Sequence, residues 1–262
     1  MDLRHLKLSS IIGKSVTVGA FPKDIIIEKG IKCYLKMSQY DVARRVYGYE
    51  SVSEVIVSRL AKILGIPCIE CKLIYALVQK DGVTFNTYIC MSKDFNTKGY
   101  DTLPFEDFYA IKRNNINESP LSICVRYGFS DYIAKIFILD FIINNLDRHG
   151  ANVELLVTPK GYVLTSLFDN GCSLYGTREE SNLDKGYNIN MAVNNFIGSR
   201  NLLENVKAIP IKVTIGILED RHKKILFYGL GKAISKQRKE KIWLLIKERY
   251  AYVRNLPFIE VS

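Results

Sequence analysis

Asp147 and Asn152 stand five residues apart on one polar stretch, and a second carboxylate, Asp169, follows in Phe168-Asp169-Asn170-Gly171. A carboxylate at Asp147 suits the removal of a proton from an attacking hydroxyl. The Asn152 amide and the Asp169 carboxylate supply oxygen donors for a divalent cation. Base and metal ligand must flank a single phosphoryl group, which is the physical reason for placing them on one loop. Taken alone, each motif also reads as an ordinary Asx turn, since Asp, Asn and Gly are common loop residues. Their order favours chemistry, because a hairpin pattern between them would bring the two motifs together.

The elements that must position these groups follow from periodicity. Residues 16–18, 24–28 and 32–37 are β-branched or alternating, with a turn at 28–30. Residues 51–64 carry a helical stripe (Val52, Val55, Ile56, Leu60, Ile63, Leu64), closed by Gly65 and Pro67. Strands at 72–78 and 84–91 flank a turn at 80–82. After residues 92–95 the pattern changes to a polar loop over 96–120 and an apolar helix over 130–145. A hairpin follows, 153–157 and 162–167 turning at 158–161, and helical patterns run to the end. The fold class expected is α+β and two-lobed, like a protein kinase. Residues 1–92 form an N-terminal lobe of antiparallel sheet plus one helix, and residues 93–262 a mostly helical C-terminal lobe.

Asp147-Arg148-His149 with Asn152, followed by the Phe-Asp-Asn-Gly motif, resembles the HipA-like kinases, including stand-alone bacterial members. More distantly it resembles phosphoinositide kinases, which share an Asp-Arg-His-x-x-Asn loop. The likeness spans residues 13–250 and is loose towards the C-terminus. It implies an ATP- and Mg2+-dependent serine/threonine protein kinase, with Asp147 as general base and Asn152 and Asp169 as magnesium ligands. His149 is then either an ATP contact or a structural histidine, and Arg148 a support. Lys36 matches the ATP lysine, with Lys32 a weaker candidate on the same strand face. Glu54 is either the helix glutamate that steadies Lys36 or the far end of a capping box begun by Ser51. Gly19, Ala20 and Lys23 resemble the phosphate loop, although Pro22 removes one N–H donor. Gly13-Lys14-Ser15 is not a Walker A loop, because Leu8 stands where its first glycine belongs. Residues 90–93, Met91 among them, are expected to offer backbone groups to adenine. Ser15 and Thr17 lie near the family's inhibitory autophosphorylation site.

The chain of 262 residues has a formal net charge of +10, which suits an acidic partner: nucleotide, nucleic acid, anionic lipid or acidic protein. Much of the excess lies in residues 221–224 and 236–241, and the second run opens a helix whose charged face reads as solvated. No helix-turn-helix or zinc-finger signature supports nucleic-acid binding. Six cysteines with no secretory leader read as reduced thiols in a bacterial cytoplasm, with delivery to a host cell as the alternative. The Cys68–Cys71 pair lacks the further ligands a zinc site needs. The resemblance also raises a toxin role with a small antitoxin partner. The family's extra N-terminal subdomain is expected to be missing, which weakens that partnership. The rivals to protein phosphorylation are a lipid kinase and a catalytically silent pseudokinase or basic binding module.

Overall fold

The structure, a computed structural model, describes residues 1–9 and 21–262. β1 (Lys23–Glu28) and β2 (Ile31–Met37) form a hairpin through Lys29 and Gly30, both at positive φ. Such a two-residue turn matches the natural twist of its strands and suits glycine. Two short strands, β3 (Tyr40–Asp41) and β4 (Arg45–Val46), precede the helix α1 (Glu50–Leu64). Gly65 ends it at φ 67°, in the left-handed cap that glycine adopts without strain. β5 (Cys71–Lys80) and β6 (Val83–Lys93) follow, turning at Asp81 and Gly82. Among the described residues the N-terminal sheet has four strands in the order β1-β2-β6-β5, all antiparallel. The strand expected at residues 16–18 lies outside the described residues.

Alternation divides the sheet's two faces. Leu35, Met37, Ile89 and Met91 pack with Leu3 and Leu8 in one small core. Cys90 belongs instead to the large core that joins α1 to the rest of the chain. α1 is buried beyond its apolar stripe: Ser51, Ser53, Glu54 and Ser58 are covered too. The helix lies between the sheet and the second lobe. Arg59 Nη1 donates to the carbonyls of Leu226 (2.7 Å) and Tyr228 (2.8 Å), and the Gly216 N–H to that of Leu64 (3.0 Å).

The expected loop over 96–120 contains β7 (Asp101–Pro104) and α2 (Phe105–Lys112). Phe105 and Phe108 of α2 are both fully buried, with Phe108 packed edge-on against Tyr127 and Tyr162. α3 (Pro120–Arg126) and the almost wholly apolar α4 (Ser130–Ile143) come next. β8 (Asp147–Arg148) precedes the hairpin β9 (Glu154–Thr158) and β10 (Gly161–Leu164), and β7 adds to β9 as a third strand.

The second hairpin strand ends at Leu164 rather than at 167, and residues 168–201 depart from the helical expectation. Apart from a 3-10 turn at Glu180–Asn182 and β11 (Asn194–Asn195), which pairs in parallel with β8, they are irregular and held by side chains. The chain ends with α5 (Leu202–Lys207), β12 (Val213–Ile215), α6 (His222–Leu226), α7 (Lys236–Arg254) and β13 (Ile259–Val261). α7 buries Ile242, Leu245, Ile246 and Val253, as its periodicity predicts, and packs on α4. Among the described residues no helix is long and apolar enough to cross a membrane.

Candidate active site

Lys36 projects from β2 towards α1. Its Nζ stands 3.1 Å from Glu54 Oε1 and 3.2 Å from Asp169 Oδ1, so three residues remote in sequence meet at one ammonium. Burial works against the charge on Lys36, but Asp169 and then Glu54 outweigh it and hold its pKa above the ordinary lysine value. The second Glu54 oxygen accepts from the Asn170 N–H at 3.1 Å. Both oxygens of Glu54 are thus committed, and no capping box forms. The N-cap is Tyr49, without a side-chain cap, while Ser51 Oγ donates to the Lys36 carbonyl at 3.0 Å.

Asp169 has φ 57°, a left-handed conformation that few side-chain-bearing residues adopt and that marks functional turns. Burial pushes its pKa up. Lys36, then Lys23, with a smaller contribution from His149, more than offset this, and the carboxyl stays below its usual range. Lys23 lies directly opposite Lys36 in the β1–β2 register. Its own pKa is lowered, first by burial, with Asp169 opposing and Lys36 adding repulsion. Two lysines and a histidine therefore act electrostatically on one carboxylate, Lys36 by direct contact.

The loop bearing Asp147 is fixed from beneath by a buried network. Arg148 donates from Nη2 to Asp140 Oδ1 (2.8 Å) and from Nε to Asp140 Oδ2 (3.1 Å). The same guanidinium reaches Asn170 Oδ1 at 2.6 Å and the Phe168 carbonyl at 2.9 Å, binding the loop to the segment that carries Asp169. Asn145 Nδ2 adds a bond to Asp140 at 2.9 Å, and the Leu146 N–H donates to the Cys172 carbonyl at 2.9 Å. Asp147 Oδ1 accepts from Asn194 Nδ2 at 2.7 Å. Asn152 Nδ2 donates to the Asp147 carbonyl at 3.2 Å. The Cys172 thiol is pushed up to about 12 by burial, then by Asp169 and Asp147, so both carboxylates act on one point.

Of the remaining expected residues, Met91 sits inside β6, between Leu35 on one side and Lys72 on the other. Its side chain turns into the small core, whereas Cys90, opposite Lys36, shares the lysine's face. The chain leaves the sheet after Lys93. Lys32 is drawn to Asp94 at 3.3 Å, away from the Glu54 cluster. Gly19, Ala20, Ser15 and Thr17 lie outside the described residues. Cys68 Sγ accepts weakly from Asn170 Nδ2 at 3.6 Å. Among the described residues no group of three or more His, Cys, Asp and Glu side chains gathers to hold a metal.

Asp140, Asn170 and Asn194 were not singled out from the sequence. Asp140 interrupts an apolar helix, which is a readable signal for a buried, paired charge. Nothing local distinguishes Asn194.

A sheet with one helix, a helical second lobe bearing a hairpin, and a Lys36–Glu54 pair that meets Asp169 of the second lobe define the two-lobed protein-kinase-like fold. The chain is similar to the crystal structure of the Helicobacter pylori proinflammatory kinase CtkA, with a TM-score of 0.66 at 16% identity, over 96% of this chain and 94% of that one. It also aligns with a chain of the Shewanella oneidensis MR-1 toxin–antitoxin complex of HipA, HipB and operator DNA, with a TM-score of 0.47 at 13% identity, over 95% of this chain and 67% of the other. No protein-family model matches the sequence, and no curated protein matches it.

Proposed function

We propose that the protein is a magnesium-dependent phosphotransferase that moves the γ-phosphoryl group of ATP to a serine or threonine hydroxyl of a protein. The observation that carries this reading is the meeting of Lys36, Glu54 and Asp169, with the Asp147 loop tied to the Asp169 segment through Arg148. Lys36 and Lys23 supply positive charge where a polyphosphate would lie, and Glu54 holds Lys36 extended towards it. Asn152 and Asp169 offer two hard oxygen donors. This suits magnesium, which takes one or two protein ligands and completes its shell with water and phosphate oxygens. When bound, the ion neutralises charge on the phosphates. Asp147, anchored through one oxygen to Asn194, presents the other to accept the proton of the incoming hydroxyl.

The test is phosphate transfer from labelled MgATP to a protein mixture and, in parallel, to phosphoinositide-containing vesicles. Asp147→Asn should lower transfer by about a hundredfold or more, the lower range for loss of a general base, while nucleotide binding persists. Label appearing in the vesicles alone would reassign the acceptor to lipid. Wild-type protein that binds MgATP and labels nothing would mark a pseudokinase.

A further inference from the structure

Arg238 sits in the basic run that opens α7, where a solvated face was expected, yet its side chain is fully buried. A buried guanidinium is costly unless each donor is used, and here all three nitrogens are. Nη1 donates to the Tyr175 carbonyl and Nη2 to the Arg178 carbonyl, each at 2.8 Å, while Nε donates to Glu180 Oε2 at 3.0 Å. The flat face of the group lies over the Tyr49 ring, 3.6 Å from its centroid. Ser235 Oγ, at the N-cap of α7, bonds to the other Glu180 oxygen.

The segment gripped in this way is strained. Leu174 and Tyr175 both have positive φ, 52° and 64°, as does Asp169 upstream. Such conformations persist only where surrounding contacts over-determine them. The same segment lines α1: the Tyr49 N–H donates to the Gly176 carbonyl (2.8 Å), Ser53 Oγ to the Ser173 carbonyl (3.1 Å), and the Asn170 N–H to Glu54. Tyr49 is the N-cap of the helix that carries Glu54. One side chain from the last helix therefore touches both the strained segment and the entry to α1.

We propose that Arg238 is a positioning residue: it clamps residues 175–180 to the start of α1 and so keeps Glu54 and Asp169 in register with Lys36. The inference rests on the nucleotide-site reading given above. Lysine at this position keeps the charge but cannot serve both carbonyls, Glu180 and the Tyr49 face together.

The test compares wild type, Arg238→Lys, Glu54→Gln and the double variant for MgATP affinity, and follows amide hydrogen exchange over residues 49–54 and 170–178. Arg238→Lys should weaken MgATP binding by about tenfold and speed exchange in both segments. In the Glu54→Gln background the same change should alter affinity by no more than about twofold, because its route is already broken. Losses that multiply across the two sites, or unchanged affinity and exchange with only a lower melting temperature, would overturn the inference. Glu180→Gln, at the half-exposed edge, should move both readouts in the same direction to a smaller extent. It carries the test should Arg238→Lys not fold. Absence of MgATP binding by the wild type would overturn the nucleotide reading and this inference with it. Binding by the wild type with an indifferent Arg238→Lys overturns the inference alone.

Discussion

Arg148 and Asp140 meet in a two-point contact where neither side chain is more than 1% exposed. The pair lies under the loop rather than in it, and its remaining donors run to Asn170 and Phe168. Removing the carboxylate leaves a buried cation without its counter-charge. Asp140→Ala should therefore cost about 3–5 kcal/mol, read as a lower denaturant midpoint. A midpoint within error of the wild type would show that the loop is held by something else.

Lys36→Met leaves Glu54 and Asp169 confronting each other without their shared ammonium. Loss of a charged hydrogen bond, about 2 kcal/mol, translates into MgATP binding weaker by roughly thirtyfold. Titration with a fluorescent nucleotide measures it. The outcome against the proposed site would be unchanged affinity.

Glu50 opens α1 with its side chain enclosed. Oε2 accepts from the Gln39 N–H at 3.1 Å, while Oε1 has no partner among the described residues. Burial raises its pKa from 4.5 to about 7, opposed by the Gln39 hydrogen bond and, more weakly, by the charge of Arg238. Between those two values the native state holds a proton that the unfolded chain has lost. Stability is full below pH 4.5 and falls as pH rises towards 7, by about 3 kcal/mol at most. Glu50→Gln cannot titrate, so its melting temperature relative to wild type should climb between pH 5 and pH 8. Parallel curves would mean that folding leaves the pKa of Glu50 unshifted.

Gly176 has no room for a side chain. A Cβ there would lie 2.5 Å from the Gly171 carbonyl oxygen and 2.6 Å from Ser53 Oγ. Gly176→Ala must push the strained segment off α1, at about 1–3 kcal/mol. The expected signature is a lower melting temperature together with weaker MgATP binding, because the displaced segment carries Asp169. Wild-type behaviour in both would contradict the tight approach.

The N-terminal sheet with its one helix and the central hairpin were legible in the sequence, because turn residues and apolar periods are local signals. Lys36, Asp147, Asn152 and Asp169 were named from motif spacing and the resemblance it carries, and the structure joins Lys36 to Asp169 directly. Glu54 was ambiguous for a physical reason. A capping box and a strand-to-helix ion pair have the same local pattern, and only the arrival of Lys36 and the Asn170 N–H separates them. Arg238 was misread because its acceptors are backbone carbonyls about sixty residues earlier in the chain, which leave no trace in composition. The segment after residue 167 was expected to be helical, yet its order comes largely from side-chain bonds to distant elements. Phe105 and Phe108 were hidden by the polar stretch beside them.

The far end of α1 has a consequence for control. Through Arg59 the helix is moored to the carboxyl end of α6, and at Gly216 the backbone abuts its last turn. A switch that worked by rotating this helix outward would have to break that mooring as well as the contacts at Tyr49, exposing a guanidinium and several carbonyls at once. Such a state would be scarcely populated, and an effector would need a large differential affinity to reach it. Any brake on this protein is therefore expected at the proposed site around Lys36, Glu54 and Asp169 rather than along the axis of the helix.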